Sequence, residues 1–304
     1  MWCIDHSVPA ILMSESQYSD SHRRWWKEYT KHCFVNCFSA GLVGGTPQKE
    51  YLAKLGMERW RIFFGYDVVD NSHFYVGSSS ARKNAHYLRR CLNLPENYFL
   101  SSCRFIEKKN ILSLLQAYRV YIDRFLQNSW SLVILGDGEL KSEIIASISR
   151  LGLQKFVFLP GFKQYSELPN YYGLARAFVL ASTSEQWGLV VNEAMASCLP
   201  VLVSERCGCA RDLVVDGKNG YRFDPFDVNY LADLMGKITQ SNVSLMDMGR
   251  ASNDIISQFG TDYFAKGLIR SATTAINDAR SKIRKFDKLI LKLFMLIREH
   301  TRGK

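Results

Sequence analysis

One stretch decides the fold of this chain: residues 177–203, AFVLASTSEQWGLVVNEAMASCLPVLV. Its two ends, 177–181 and 200–203, are continuous apolar runs of strand length, and an amphipathic helical pattern begins between them at Gly188. Strands that are apolar throughout are typical of a parallel sheet covered by helices on both faces. These residues therefore predict a strand, a helix and a second strand of a doubly wound α/β domain.

The same alternation of strands and helices begins upstream at Tyr98. Continuous apolar runs predict strands at 98–102, 131–135 and 156–159. Amphipathic patterns between them predict helices at 110–125, 140–151 and 166–174. We therefore assign residues 98–260 to one complete Rossmann-like domain with a parallel sheet.

The rest of the chain is predicted to divide into three further parts. Residues 1–76 contain two or three strand patterns and two helix patterns, about half of what a doubly wound domain needs, and predict a partial Rossmann-like domain. Residues 77–97 begin with a polar stretch and are predicted to be a linker. Residues 261–304 are predicted to form C-terminal helices, of which the last is basic and amphipathic.

Positive charge is concentrated at the end of the chain. The formal net charge is +10, and residues 280–304 hold nine basic and two acidic residues, which gives this segment a charge of +7. Its apolar residues recur at three- and four-residue steps, as on one face of a helix. Such a helix binds an anionic membrane surface, packs on the fold or forms a solvated tail. Nucleic acid is disfavoured as a partner, because basic and aromatic residues are not interleaved elsewhere.

Composition excludes several classes of protein. Hydrophobic residues make up 47% of the chain and charged residues 22%, which excludes a disordered chain and a coiled-coil rod. The N-terminus lacks the basic and apolar pattern of a secretory signal, and the eight cysteines form no Cys-x-x-Cys pair. Reduced thiols in the cytoplasm are therefore expected, and disulfides or a zinc site are the alternative.

Two acidic residues flank the predicted start of the helix at Gly188. Glu185 lies in the loop that follows the strand at 177–181, and Glu193 lies five residues inside the helix. A helix N-terminus offers unpaired amides and a positive dipole end, which together bind phosphate. Two carboxylates beside it can accept hydrogen bonds from vicinal hydroxyls. The alternative is that both are ordinary solvated residues.

A second group of charged residues follows the strand at 98–102. Arg104 and Lys109 lie in the loop that leaves this strand. Because the carboxyl ends of parallel strands meet at one edge of the sheet, both cations are expected near the helix at Gly188. Two cations and a helix terminus can stabilise a diphosphate on which charge develops. A solvated loop face is the alternative reading of these two residues.

Taken in this order, the segments resemble glycosyltransferase family 4, whose nucleotide-sugar enzymes have two facing Rossmann-like domains in the GT-B arrangement. Glu185 and Glu193 match the two-glutamate motif of that family with seven residues between them, and Arg104 and Lys109 match the cations of its phosphate loop. Further matches in family order are 135–139, 158–162, 200–204 and 219–221. The resemblance covers residues 98–259, with a weaker match at 14–16 and 65–71. It implies a GT-B-like α/β fold.

The resemblance also implies the roles of individual residues. Arg104 and Lys109 would bind the donor diphosphate, and Glu185 would contact the transferred sugar, which makes these three the expected catalytic residues. The full donor-binding set is expected to be Arg104, Lys109, Gly161, Phe162, Gly188, Leu189, Val190 and Glu193. In that set Glu193 would bind the ribose, while Gly161 and Phe162 would frame the base.

The implied activity is the transfer of a sugar from a nucleoside diphosphate sugar to a hydroxyl, with retention of configuration. The acceptor would be a glycan, a lipid-linked or a small molecule. The family generally needs no metal or other cofactor, and the chain contains no Asp-x-Asp triplet. The expected location is the cytoplasm, with peripheral attachment to the membrane through residues 280–304.

The chain departs from the family at its beginning. The glycine-rich turn and the first strands of the acceptor domain have no counterpart in residues 1–76. A truncated enzyme of impaired activity is therefore expected, and the alternative is a nucleotide-sugar-binding module that complements a separate acceptor-domain chain. A purely structural or regulatory protein is a third possibility. It is disfavoured, because such a protein does not need the phosphate-binding residues.

Overall fold

The computed structural model describes residues 2–6, 8–20, 23–240 and 244–277. The chain forms two compact units, which we call unit 1 (Met1–Val68 with Thr261–Lys304) and unit 2 (Val69–Gly260). The basic helix predicted for 280–304 lies outside the described residues. Among the helices that the structure describes, none has both the length and the hydropathy needed to cross a bilayer.

Unit 1 is built on a small parallel sheet. Its first elements are helices α1 (Trp2–Asp5), α2 (Trp25–Val35) and α3 (Thr46–Lys54) and strands β1 (Ile11–Ser14), β2 (Ala40–Val43) and β3 (Ile62–Phe64). Within the described residues the sheet has three strands in the order β1-β2-β3. Helix α3 begins at Thr46-Pro47, because proline lacks the amide hydrogen that the first turn leaves unpaired.

Unit 2 contains the complete doubly wound sheet. Its helices are α4 (Asn71–Lys83), α5 (Ala85–Leu92), α6 (Ile111–Phe125), α7 (Lys141–Arg150), α8 (Leu168–Leu174), α9 (Leu189–Ala196), α10 (Ala210–Leu213), α11 (Val228–Thr239) and α12 (Leu245–Ile256). Its strands are β4 (Tyr98–Ser102), β5 (Ser131–Leu135), β6 (Val157–Gly161), β7 (Ala177–Leu180), β8 (Val201–Ser204) and β9 (Gly220–Phe223). All neighbouring pairs are parallel, in the order β6-β5-β4-β7-β8-β9. The predicted α/β fold class is confirmed.

The strands of unit 2 are buried on both faces of the sheet. Phe99 and Leu100 are consecutive residues of β4 and are both fully buried, although successive side chains of a strand point to opposite faces. Phe99 packs in one hydrophobic cluster with Leu132, and Leu100 packs in another with Val133. Full burial of each such side chain contributes roughly 1.5–3 kcal/mol to folding. The continuous apolar runs of the sequence follow from this double burial.

The stretch 77–97, predicted to be a linker, is largely helical and belongs to unit 2. Helix α4 begins before it, where the Asp70 carboxylate accepts a hydrogen bond from the amide of His73. Gly77 lies against Pro169 so closely that a Cβ atom would approach the Pro169 ring at 2.6 Å. Ser78 donates a hydrogen bond to the Ser197 hydroxyl over 2.9 Å. The small polar side chains that suggest a linker instead permit close helix packing, so unit 2 begins at Val69 and not at residue 98.

The last described helix returns to unit 1. Helix α13 (Thr261–Asn277) packs on strands β1, β2 and β3. A Cβ atom at Gly267 would lie 2.0 Å from the carbonyl oxygen of Phe64, so only glycine fits at this crossing. Residues 261–304 are predicted from the sequence to form separate C-terminal helices. Helix α13, at the start of this segment, instead covers the sheet of unit 1.

Candidate functional site

The centre of the unit 2 sheet is a topological switch point. Strands β4 and β7 are neighbours, and the chain continues from them to opposite edges of the sheet, β4 to β5 and β7 to β8. Open α/β sheets bind ligands where the loops after two such strands diverge. These loops are residues 103–110 and 181–188, and they are joined by a hydrogen bond from the Thr183 amide to the Lys108 carbonyl over 2.9 Å.

The switch point brings together two of the predicted residues. The Lys109 ammonium donates a hydrogen bond to a carboxylate oxygen of Glu185 and forms an ion pair with it. The side chains are only 11% and 15% exposed. Burying a charge costs free energy unless an opposite charge lies beside it. Removal of either side chain would therefore leave the other charge buried without a partner. The ion pair places a cation and an acid at the carboxyl ends of strands β4 and β7.

The environment of the pair includes a thiol. Burial raises the pKa of Cys103 to about 11, and the Glu185 charge raises it further while the Lys109 charge opposes it. Cys103 is therefore a neutral thiol at physiological pH. The loop of Glu185 is fixed from the other side by the amide of Gly208, which donates to the Glu185 carbonyl over 2.9 Å.

Helix α9 begins beside this ion pair. Its N-terminal cap is Gly188, whose φ of +105° lies in the left-handed region that favours glycine. The amide of Val191 already donates to the Gly188 carbonyl over 2.8 Å, whereas the first amides of a helix have no acceptor within it. Leu189, the first helical residue, is exposed. The N-terminus of α9 thus lies next to Glu185 and Lys109, and it is accessible at Leu189 and partly at Val190, while Gly188 itself is buried.

Glu193 lies one turn further along α9 and has a partner that sequence reasoning missed. Tyr172 of helix α8 donates its hydroxyl hydrogen to Glu193 Oε2 over 2.7 Å. Burial raises the pKa of Glu193 to about 7, and the Tyr172 hydrogen bond partly offsets this effect. No motif in the sequence identifies Tyr172. It lies in a largely apolar helix, whose tyrosines are expected to be buried in the hydrophobic core.

The remaining predicted residues lie at the carboxyl ends of β4 and β6: Arg104 and Phe162 in the loops that follow, and Gly161 as the last residue of β6. Arg104 is exposed and forms no ion pair with the residues that the structure describes. Gly161 has a φ of +83° and accepts a hydrogen bond from the Gly136 amide over 3.0 Å, and Phe162 after it is 66% exposed. Among the described residues, no ion pair joins Arg104 to Glu185, whose ion pair is with Lys109.

A second pair that the sequence did not reveal lies near Glu193. The rings of His73 and Tyr165 stack with centroids 4.3 Å apart and an interplanar angle of 12°. Burial raises the pKa of Tyr165, and the charges of Asp70 and Glu193 raise it further. Tyr165 is therefore within electrostatic reach of Glu193. The described residues contain no group of three or more histidine, cysteine or acidic side chains that could hold a metal ion.

Comparison with known proteins assigns the chain to a family. The family model described as "Glycosyl transferases group 1" matches residues 88–254, more than half of the chain. The chain belongs to this family. The resemblance stated from the sequence is thereby confirmed, and the matched residues include the loops of Arg104, Lys109 and Glu185.

Two curated relatives that the chain resembles are a synthase and a transferase by name. Alpha-monoglucosyldiacylglycerol synthase of Acholeplasma laidlawii is 30% identical over 203 residues, which are 65% of this chain and 48% of that protein. Poly(ribitol-phosphate) alpha-N-acetylglucosaminyltransferase of Staphylococcus aureus is 26% identical over 162 residues, which are 52% of this chain and 32% of that protein. The chain thus spans half or less of the length of these two relatives.

Solved structures show the same fold. Anabaena HepE in complex with UDP has a TM-score of 0.76 at 18% identity, covering 90% of this chain and 74% of that chain. S. aureus TarM has a TM-score of 0.67 at 18% identity, covering 87% of this chain and 50% of that chain. Both are GT-B glycosyltransferases, and the predicted GT-B-like fold class is confirmed.

Proposed function

We propose that this glycosyltransferase transfers a sugar from a nucleoside diphosphate sugar to an acceptor hydroxyl with retention of configuration. The observation that carries the proposal is the Lys109–Glu185 ion pair at the switch point. It lies beside the N-terminus of α9, which is headed by Gly188. A cation, a helix N-terminus and an acid are the groups needed to hold a diphosphate next to a sugar.

In this mechanism the diphosphate is the leaving group. The Lys109 ammonium, the Arg104 guanidinium and the first amides of α9 stabilise the negative charge that develops on it. An oxygen of the departing diphosphate accepts the proton of the acceptor hydroxyl, which attacks on the same face of the sugar and so preserves the configuration. The proton thus moves from the acceptor to the leaving group. No metal takes part in the proposed reaction.

Glu185 and Glu193 position the two ends of the donor. Glu185 accepts hydrogen bonds from hydroxyls of the transferred sugar and orients the Lys109 ammonium through their ion pair. Glu193 accepts hydrogen bonds from the ribose hydroxyls, and Gly161 and Phe162 frame the base. The UDP complex of HepE supports a uridine nucleotide as the donor. The name of the Acholeplasma relative supports a lipid acceptor, which the charge of residues 280–304 suits at the cytoplasmic face of a membrane.

Release of nucleoside diphosphate tests the proposal. The purified chain is incubated with UDP-, GDP- or ADP-sugars and an acceptor, and nuclear magnetic resonance of the product reports its anomeric configuration. We expect Lys109→Ala to reduce turnover at least 100-fold, as loss of one transition-state contact does. Lys108→Ala, which removes the neighbouring cation, is the control and keeps most of the activity. A product of inverted configuration would exclude the proposed mechanism.

A nucleotide-sugar-binding module is the second candidate. The observation in its favour is the size of unit 1, whose described residues form three strands whereas those of unit 2 form six. The two candidates differ in turnover. Binding of UDP-sugar by calorimetry, with no release of UDP unless a separate acceptor-domain chain is added, would establish the module.

A further inference from the structure

Unit 1 contains a cavity that the donor site does not use. Its volume is about 470 Å³, and it lies along strand β3 between helices α3 and α13. This volume is in the range of small-molecule binding sites, about 300–1,000 Å³. Four of the ten lining residues are cationic, namely Lys49, Arg59, Lys266 and Arg270, and none is acidic.

The geometry of β3 explains why the cavity is positive on both sides. Among the described strands β3 pairs only with β2, so its other edge is open. Successive residues of a strand point to opposite faces. Lys49 of α3 places its Nζ 4.7 Å from the centroid of the Phe64 ring, and Arg270 of α13 places its Cζ 5.5 Å from that of Phe63. One helix therefore supplies a cation above the edge of the sheet and the other supplies a cation below it.

These cations are not neutralised by carboxylates. In the described part of the chain, none of Lys49, Arg59, Lys266 and Arg270 forms an ion pair. Arg61, which points elsewhere, has Glu58 at 3.6 Å. Burial lowers the pKa of Lys49, and the charges of Arg59 and Arg270 lower it further. Like charges that repel one another without a counterion are destabilising, and an anion that binds among them removes this cost.

The rest of the lining is aromatic and apolar. Trp60 is 57% exposed, and Tyr263 and Phe63 add two further rings to the wall. Exposed aromatic faces at a cationic cavity suit a ligand that carries a ring or an alkyl group next to its anionic group. Several adjacent cations favour a doubly charged anion over a singly charged carboxylate.

We propose that this cavity binds a phosphate-bearing molecule, with the phosphate held by Lys49, Arg59 and Arg270 and the apolar part on Trp60. Lys266, which is exposed, adds a fourth cation to the lining. The site is separate from the donor residues, since all of its lining belongs to unit 1 and the donor loops belong to unit 2. The proposal is therefore independent of the proposed transfer reaction. The phosphate belongs either to a small metabolite or to a lipid headgroup, and the experiment distinguishes these two sources.

Binding of phenyl phosphate to the full chain provides the first arm of the test. Saturating UDP is present throughout, so that the site around Lys109 is occupied. We expect Lys49→Gln and Arg270→Gln each to weaken binding at least fivefold, with Lys54→Gln as the matched control. Lys54 is on the same helix and its substitution changes the charge equally, but it does not line the cavity. We expect less than a twofold effect from it.

Sedimentation with phosphatidic acid vesicles provides the second arm. A headgroup ligand predicts that Lys49→Gln and Arg270→Gln reduce sedimentation at least fivefold while phenyl phosphate binds poorly to every variant. A metabolite ligand predicts that the two substitutions weaken binding of phenyl phosphate at least fivefold and leave sedimentation, to which residues 280–304 also contribute, unchanged. The proposal is overturned if neither probe binds, or if Lys54→Gln weakens binding as much as the cavity variants do. Circular dichroism confirms that each variant is folded, which is expected because Arg270 and Lys54 are exposed and Lys49 is only partly buried.

Discussion

The hydroxyl of Tyr172 donates a hydrogen bond to Glu193 Oε2 over 2.7 Å and thereby joins helix α8 to helix α9 beside the switch point. Burial nevertheless raises the pKa of Glu193 to about 7. Between pH 4.5, the ordinary pKa of a glutamate, and about pH 7, Glu193 is therefore protonated in the folded protein and ionised in the unfolded chain. The state of this carboxyl group changes near physiological pH, and this affects both donor binding and stability.

Affinity for UDP is expected to rise between pH 6 and pH 8. The ribose hydroxyls donate to Glu193 in the proposed complex, and only the ionised carboxylate accepts from both of them. Titration calorimetry at the two pH values should show a three- to tenfold increase. Glu193→Gln should remove most of this dependence, and Glu143→Gln, an exposed acid on α7, should retain it. An identical pH profile in all three proteins would contradict the assignment of Glu193.

Glu193→Gln is expected to stabilise the free protein at pH 8. Since the folded-state pKa is raised, ionisation lowers the free energy of unfolding, and the loss develops as the pH rises from about 4.5 to about 7. The amide avoids this loss and should gain about 1–3 kcal/mol at pH 8. Chemical denaturation at pH 4.5 should show a much smaller gain. A gain of equal size at both pH values would instead indicate improved packing.

Removal of either member of the Lys109–Glu185 pair is expected to destabilise unit 2. Lys109→Met leaves a largely buried carboxylate without its ammonium, which should cost about 2–4 kcal/mol. The double variant Lys109→Met with Glu185→Gln should recover at least half of that loss. Denaturation of the four proteins in a double-mutant cycle measures the coupling. Additive losses would mean that the two side chains do not depend on each other.

Gly188→Ala is expected to impair donor binding beyond its effect on stability. The φ of +105° strains any other residue, at about 1–2 kcal/mol, and a Cβ atom would lie 3.4 Å from Glu185 Cγ. Gly152→Ala is the matched control, because Gly152 also has a positive φ, +66°, but nothing lies within 4 Å of its Cβ position. Both variants should lose stability, and only Gly188→Ala should lose UDP affinity, at least tenfold. Equal affinities in the two variants would contradict a phosphate at this helix terminus.

Binding to anionic vesicles is expected to depend on residues 280–304. The triple substitution Lys282→Gln, Lys285→Gln and Lys288→Gln lowers the charge of this segment from +7 to +4. It should weaken sedimentation with phosphatidylglycerol vesicles about tenfold or more, since each basic residue near such a surface contributes about 1 kcal/mol. The control substitutes three exposed lysines of unit 2 in the same way: Lys83, Lys155 and Lys218. Equal losses would show that net charge, and not this segment, determines binding.

The sheet of unit 2 could be predicted from the sequence because its strands are buried on both faces. Runs such as 132–135 are apolar at every position, and the rule that parallel strands end at one edge then predicts Lys109 and Glu185 in one neighbourhood. Tyr172 could not be predicted, because its bond to Glu193 depends on the packing of α8 against α9. The prediction of a linker at 77–97 is wrong because composition does not reveal that Gly77 and Ser78 pack against Pro169 and Ser197.

The return of α13 to the sheet of unit 1 determines the order in which the protein can be completed during translation. Unit 2 is fully synthesised when Gly260 has left the ribosome, whereas the carbonyl of Phe64 still lacks the helix that covers it at Gly267. The strands of unit 1 are therefore synthesised before unit 2, but the packing of unit 1 is completed after it. A stop codon shortly after residue 260 would leave an intact unit 2 attached to a sheet that α13 does not cover.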